Sequence, residues 1–380
     1  MKTVLVTGGA GFIGSHLVPQ LLRAGYGVRV LDSLSPQIHG MLPVGLSWLS
    51  ASANIEFMRG SVTSAADLRR AIDGVSAIVH LASETGTGQS MYEISRYAHE
   101  NVQGMAMLMQ QLVDIKGHGV ERVVLASSRS VYGEGSYVLS SAPESPRLTP
   151  QARSAEMLKA RRWEPVNPSN GEALIAVPTR EDDRTQPASI YAATKLMQED
   201  LVRIACGSLG IGHTILRLQN VYGEGQSLLN PYTGILSVFS TKIRSGAVLP
   251  IFEDGLESRD FVHVSDVAAA FVAALDTEQP VNSAINAGSG IATPVIEVAR
   301  ALSLAFGAEP NIEVTEQYRL GDIRHNSADI SRLGQLLGIA PRVSLEDGLG
   351  RFARWVLTQE LPEDRLQHAN DELKRRNMMG

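Results

Sequence analysis

Tyr191 and Lys195 stand four residues apart in "SIYAATK", a spacing that puts both side chains on one face of a helix. Nine tyrosines and six lysines in 380 residues give that spacing about 0.14 times per chain by chance, so the surroundings must carry the argument. The chemistry such a pair can do is the removal of a proton from an alcohol. A free phenol, with pKa about 10, is almost wholly protonated at neutral pH. Lowering that value by about three units takes roughly 4 kcal/mol of preferential stabilisation of the phenolate, and a lysine ammonium on the same helix face contributes to it.

An alcohol that loses its proton becomes a ketone only if a hydride also leaves, and the first thirty residues supply a place for a hydride acceptor. "TVLV" is a short β-rich run, "TGGAGFIG" is a glycine loop, and "SHLVPQLLRAGY" has helical spacing through Leu17, Leu21 and Leu22. A second β-rich run, "GVRVLD", ends at Asp32. In that order Gly8 permits a tight turn, Gly11 lets backbone N–H groups approach a pyrophosphate, and Gly14 allows close helix–strand packing. Asp32 is placed to accept hydrogen bonds from an adenosine ribose and to repel a 2′-phosphate. No arginine follows it in "DSLSP", so NAD is favoured over NADP. A flavin fits the loop by itself; the tyrosine–lysine pair favours nicotinamide, whose oxidised ring adds a second positive charge beside the phenol.

Further β-rich runs, "IEFMRG", "AIVHLA", "RVVLASS" and "TILRLQN", alternate with helical stretches around 65–73, 95–115 and 190–208. The alternation predicts an α/β fold: a doubly wound, Rossmann-like parallel sheet with helices on both faces, and a smaller C-terminal α/β substrate domain. The expected division is a nucleotide domain over 1–225 with an insertion at about 138–185. The strand and helix 258–276 return to it. The substrate domain takes 226–257 and 277–360, and 361–380 is a charged tail, read as a solvated helix or a frayed end. The 44% hydrophobic content allows a large core. A net charge of −6 without a basic stripe argues against nucleic acid as a partner. No apolar run approaches the roughly twenty residues a bilayer needs, and the N-terminal run is expected to be a strand and no leader, so no membrane partner is expected. The single cysteine, Cys206, excludes an internal disulfide and a multi-thiolate metal site and fits a cytoplasmic location.

Seven motifs in order, "TGGAGFIG", "HLAS", "NVQG", "SSRSVYG", "YAATK", "LRLQNVYGEG" and "RDFVHVSDVA", resemble the extended short-chain dehydrogenase/reductase superfamily over about residues 1–355. The likeness is to its NAD-dependent nucleotide-sugar epimerases and dehydratases, nearest the deoxyhexose 4-epimerases and the UDP-glucose 4-epimerase-like members. The resemblance implies that Ser128 holds the reacting oxygen, with Ser127 the adjacent alternative, that Tyr191 is the base, and that Lys195 also bonds the nicotinamide ribose. It implies cofactor contacts from Phe12, Ile13, Ser61, Val62, Leu81, Ala82, Ser83 and Asn101. Asn220, Arg259 and Arg319 are implied to grip a nucleotide diphosphate, with Asp322 beside them, and Glu84, Thr85, Thr87 and Asn326 to lie near the sugar. Relatives often dimerise through the "MAMLMQQL" helix and the one carrying Tyr191, so a homodimer is expected.

The implied reaction is 4-epimerisation. Tyr191 takes the sugar 4-hydroxyl proton as hydride passes to NAD, and the keto sugar turns about its diphosphate before hydride returns to the other face. Departures from the family bear on this. Dehydratases carry Asp-Glu after the serine or threonine, whereas Arg129-Ser130 stand here. A sugar dehydratase, a uronate decarboxylase and a non-catalytic NAD-binding protein are the alternatives. "RGSVTS" lacks the usual acid before the adenine-flanking position, leaving Ser61. The insertion carries Asn167 and Asn170 where look-alikes pair cysteines on zinc, so no thiolate metal site is expected. Its role is open between a lid or specificity element and surface decoration or a subunit contact.

Overall fold

The computed structural model describes residues 1–40, 46–228, 234–361, 366–376 and 378–379. Segments 41–45, 229–233, 362–365 and residues 377 and 380, parts of the expected substrate domain and tail among them, lie outside the described residues.

β-Branched and aliphatic runs form a seven-stranded, all-parallel sheet. Its spatial order is Ser283–Ala287, Gly212–Leu218, Arg122–Ser128, Ala77–His80, Thr3–Thr7, Gly27–Asp32, Ile55–Arg59. Side chains alternate across Thr3–Thr7. Val4 and Val6 pack into a core with Leu17 and Leu21 of helix Phe12–Arg23 and Phe271 of helix Val264–Asp276. Leu5 packs on the other face with Leu68, Leu108 and Val202 from helices Ala65–Ile72, Gly104–Asp114 and Ile190–Leu209. Helices on both faces force the strands to be apolar on both sides, which is why "TVLV" and "AIVH" read as continuous runs. The order reverses between Thr3–Thr7 and Ala77–His80, opening a crevice at their C-terminal ends.

The return of the chain after the substrate segments differs from the sequence reading. Strand Ser258–His263 does not join the main sheet. It runs parallel to Asn220–Tyr222 and His325–Asn326 and antiparallel to Ala292–Pro294 in a small sheet above the cleft. The seventh strand is Ser283–Ala287, inside the stretch assigned to the substrate domain, in parallel register with Gly212–Leu218. "SAINA" is short and rich in small residues, so it carries no periodic signal; its place is set by the open sheet edge beside it. Helix Val264–Asp276 does pack against Phe12–Arg23. A third core, with Phe239, Ile251, Val298, Leu302 and Phe352, belongs to the C-terminal part.

Helix 95–115 is interrupted: Ile94–Tyr97 leads into a π-helical turn, Ala98–Gln103, before Gly104–Asp114. The insertion forms an antiparallel hairpin, Ser136–Leu139 with Leu174–Val177, and a short helix, Ala155–Lys159. The tail is docked: in helix Leu366–Arg375, Asn370 is buried, Met379 is buried beyond it, and the Arg376 guanidinium sits 4.5 Å from the Tyr92 ring centroid.

Candidate active site

The crevice is a cavity of about 480 Å³ running from the glycine loop to Tyr191. At its outer end Gly8 adopts φ +67°, and a Cβ there would lie 2.7 Å from the Ala82 backbone. A Cβ on Gly14 would fall 2.1 Å from Gly9 O, so both positions need glycine for close approach. Helix Phe12–Arg23 has no acidic residue in its first turn, leaving its N-terminal N–H groups for an anion. Asp32 Oδ2 accepts from Ala10 N at 3.0 Å and Oδ1 from Leu34 N at 2.8 Å, fixing the carboxylate at the cavity wall. Phe12, Ile13, Ser61, Val62, Leu81, Ala82 and Ser83 line the same cavity. A dinucleotide fits this donor set: backbone N–H groups for phosphates and a carboxylate for ribose hydroxyls.

At the inner end, strand Arg122–Ser128 delivers Ser128, whose Oγ accepts from Ser130 N at 3.2 Å. Ser127 alternates away and donates to the Glu199 carboxylate, which is ion-paired with Arg217 at 2.7 Å. Both serines line the cavity, but the Ser127 hydroxyl is committed to Glu199, whereas that of Ser128, which accepts from Ser130 N and Oγ, is the one that bonds Tyr191. Ser189 caps helix Ile190–Leu209 by accepting from Ala192 N at 3.1 Å, which places Tyr191 in the first turn at the cavity wall. Burial pushes the Tyr191 pKa up, while a hydrogen bond with Ser128 and the charge of Arg129 pull it down. Lys195, 3% exposed, lies behind the tyrosine: its Nζ is 5.9 Å from the Tyr191 ring centroid and donates to Ala126 O at 3.0 Å. Burial pushes the Lys195 pKa down to about 7, against the nearby charge of Glu199.

Asn101 occupies the π-helical turn and does not line the cavity. Its Oδ1 accepts from Glu84 N (2.8 Å) and Ser83 Oγ (3.1 Å), and its Nδ2 donates to Thr194 Oγ1 at 3.0 Å. It ties the loop after strand Ala77–His80 to the helix of Tyr191. Glu84, Thr85 and Thr87 of that loop line the cavity, with Glu84 paired to Arg96 at 2.8 Å.

The expected substrate residues divide. Asn220 lines the cavity and accepts from Arg129 Nε at 2.7 Å. Arg259, Arg319, Asp322 and Asn326 do not line it. The Arg259 guanidinium is satisfied by backbone carbonyls of Ser258, Ile323 and Arg324. Arg319 is held by the tail, stacking 4.8 Å over the Phe252 ring centroid and donating to Asn370 Oδ1 at 2.8 Å. Asp322 sits within electrostatic reach of Arg129. Asn326 is buried against Gly135 and Thr179, with both amide atoms unpaired. Ser61 Oγ is engaged with Thr63 Oγ1 at 2.8 Å.

The insertion does not line the cavity; it buttresses the C-terminal part. Arg153 Nη1 pairs with Glu253 at 2.7 Å, and Arg324 pairs with Asp254 at 2.7 Å while its Nε donates to Glu164 at 2.8 Å. Among the cavity residues given no positive role in the sequence are Arg129, visible only as a missing acid, and Gln219, 4% exposed with both amide atoms unpaired. Their position at strand ends was the available signal for both.

A doubly wound sheet with a glycine-loop cleft lined by a serine and a tyrosine, and a buried lysine behind the tyrosine, defines a nicotinamide-dinucleotide-binding protein. The model of the NAD dependent epimerase/dehydratase family matches residues 4–155 and 168–288. The chain is 40% identical over 366 residues to dTDP-L-rhamnose 4-epimerase of Burkholderia thailandensis, spanning 95% of this chain and 96% of that one. The solved structure of MoeE5 in complex with UDP-glucuronic acid and NAD superposes with TM-score 0.73 at 30% identity, covering 93% of this chain and 99% of the other. That of DesIV, a dTDP-glucose 4,6-dehydratase from Streptomyces venezuelae with NAD bound, gives 0.72 at 28%, covering 93% and 97%. The chain belongs to the NAD dependent epimerase/dehydratase family, and NAD is its cofactor.

Proposed function

We propose that this protein is a nucleotide-sugar 4-epimerase acting on a nucleoside-diphosphate hexose, with a deoxyhexose the favoured class. The observation that carries the reading is the residue pair after Ser128. Ser128 and Tyr191 meet at the inner end of the cofactor cleft, and the position where elimination needs an acid and a base holds Arg129-Ser130. The similarity to dTDP-L-rhamnose 4-epimerase supports the sugar class. NAD, when bound, supplies the hydride acceptor and donor. Ser128 holds the 4-oxygen and Tyr191 removes its proton, then returns one to the keto oxygen. Lys195, fixed by Ala126 O, orients the tyrosine and the cofactor ribose. Asn220, which lines the cavity, holds the diphosphate, about which the keto sugar turns.

The test is incubation of purified protein and NAD with a panel of nucleotide sugars and no added reductant. Products of unchanged mass and inverted C4 configuration are expected, absent in Tyr191→Phe. Loss of water or carbon dioxide, or net accumulation of reduced cofactor, overturns the reading. We also propose a cytoplasmic homodimer built on helices Gly104–Asp114 and Ile190–Leu209, which pack together and expose Val113, Met197 and Ile204.

A further inference from the structure

Arg129 is the only arginine or lysine that lines the cavity among the described residues. The other basic side chain there, His39, stands 3.8 Å from Asp32 at the end that takes the cofactor. Lys195 is turned to Ala126 O, the Arg259 guanidinium is filled by backbone carbonyls, and Arg319 is held by the tail. An anion that enters the inner half of the cleft therefore meets one cationic side chain.

That side chain is anchored at one nitrogen and open at the other two. Nε donates to Asn220 Oδ1 at 2.7 Å, the one hydrogen bond the guanidinium makes among the described residues. Nη1 and Nη2 have no partner, yet neither is sealed in the interior as the amide of Gln219 is: the side chain is part-buried, and its exposed edge opens on the cavity. Asn220 Nδ2 is likewise unpartnered and unsealed beside it. No acid neutralises the guanidinium by direct contact. Asp260 accepts from Ser289 N and Oγ, Gly290 N and Ala328 N, and Asp322, within electrostatic reach, forms no ion pair with it. Two N–H groups side by side on a planar cation match two oxygens of a phosphate. The cofactor's phosphates are served elsewhere, by the glycine loop and the first helix at the outer end.

We propose that Arg129 is the phosphate-binding residue for the substrate: with Nε fixed on Asn220, it turns Nη1 and Nη2 to the phosphate oxygens of the nucleoside diphosphate whose sugar reaches Ser128 and Tyr191. That the anion is a nucleoside diphosphate rests on the epimerase reading; that Arg129 is the free cation of the cleft does not. A sugar carboxylate has the same two-oxygen chemistry, but only a uronate carries one, whereas every nucleotide sugar brings a diphosphate. Arg129 directly follows Ser128 at the end of strand Arg122–Ser128, so the grip on the anion and the serine beside the tyrosine are one residue apart. One replacement at this position thus removes an acid that elimination uses and adds a phosphate ligand next to the reacting groups.

The test is isothermal titration of NAD-loaded wild type, Arg129→Met and Arg129→Lys with dTDP, UDP, UDP-glucose and UDP-glucuronate. It needs no turnover, so it reads the contact whether or not the chain epimerises anything. The dissociation constant of each nucleoside diphosphate that binds wild type should rise by about ten- to a hundredfold in Arg129→Met, with part of the loss recovered in Arg129→Lys, which restores the charge without the fork. Retention of NAD should not change, since its phosphates lie at the other end of the cavity. Unchanged nucleoside diphosphate affinity in Arg129→Met overturns the proposal and leaves the epimerase reading standing. A loss confined to UDP-glucuronate overturns it too, making Arg129 the reader of a sugar carboxylate, and loss of NAD along with the diphosphate overturns it in favour of a structural role. Wild type that binds none of the four ligands overturns both this proposal and the epimerase reading. If Arg129→Met does not fold by circular dichroism, Arg129→Gln replaces it in the same titration, with the same outcomes.

Discussion

Glu257 shows at the scale of one residue how burial in the C-terminal part holds a proton on a carboxyl. Its side chain is buried, Oε2 has no hydrogen-bond partner, and the nearest cation in the ion-pair cluster, Arg324, stands 3.9 Å away. Burial pushes its pKa up to about 7 from 4.5. The folded chain thus keeps this carboxyl protonated after the unfolded chain has released its proton. Stability from this group is complete below pH 4.5 and is lost as pH rises through about 7. Glu257→Gln should therefore be more stable than wild type at pH 8 by about 1–3 kcal/mol in urea unfolding, the difference closing toward pH 4.5. Equal stabilities at pH 8 would contradict the assignment. Residues of this kind were illegible in the sequence because their state depends on distant neighbours. Gly8, Asp32, Ser128 and Tyr191 were legible because a local order of strand, loop and helix demands those residue types. Arg129 was legible only as an absent acid, since its anchor, Asn220, comes from 91 residues further along.

Among elements, the insertion matters through what it presses against. Arg324 is 1% exposed and bridges Asp254, Glu253 and Glu164, while its backbone N–H donates to Glu134 at 2.7 Å. Its acids come from the insertion hairpin's approach, the insertion itself and the C-terminal part. Removing the guanidinium leaves part-exposed Asp254 and Glu164 without their arginine and leaves buried Glu253 with Arg153 alone. Arg324→Met should lower unfolding stability by about 3–5 kcal/mol, with Arg324→Lys losing less because charge survives without the bidentate fork. Chemical denaturation of the three proteins checks this, and a loss below 1 kcal/mol in Arg324→Met would show that the cluster is water-screened. The main strands were readable because burial on both faces writes a continuous apolar run, and the helices because they carry a 3.6-residue period. Ser283–Ala287 and the hairpin were not: short strands of small or mixed residues take their identity from the partner edge. The charges of the tail dominate its pattern and read as a solvated helix or a frayed end, whereas its attachment runs through buried Asn370 and Met379 and through Arg376 on the Tyr92 ring.

For the whole molecule, the face formed by Gly104–Asp114 and Ile190–Leu209 leaves Met197 and Ile204, seven residues apart on one stripe, more than half exposed. The same helix carries Tyr191 and Lys195 on its buried side, so a partner seated here would stiffen the helix of Tyr191 from behind. Ile204→Glu combined with Met197→Glu should shift the sedimenting species from dimer to monomer; a wild type that sediments as a monomer at micromolar concentration removes the proposal. The π-helical turn that carries Asn101 has a consequence for how this architecture can change. A π-helical turn holds one residue more than an α-helical turn between the same two ends, so deleting one residue from Ala98–Gln103 would restore an ordinary helix with Met105, Leu108 and Leu112 still in phase with the lower core. The loss would fall on Asn101, whose bonds to Ser83, Glu84 and Thr194 are made from the widened turn. The core layer can therefore survive removal of the extra residue, whereas the tie between the cleft loop and the helix of Tyr191 cannot.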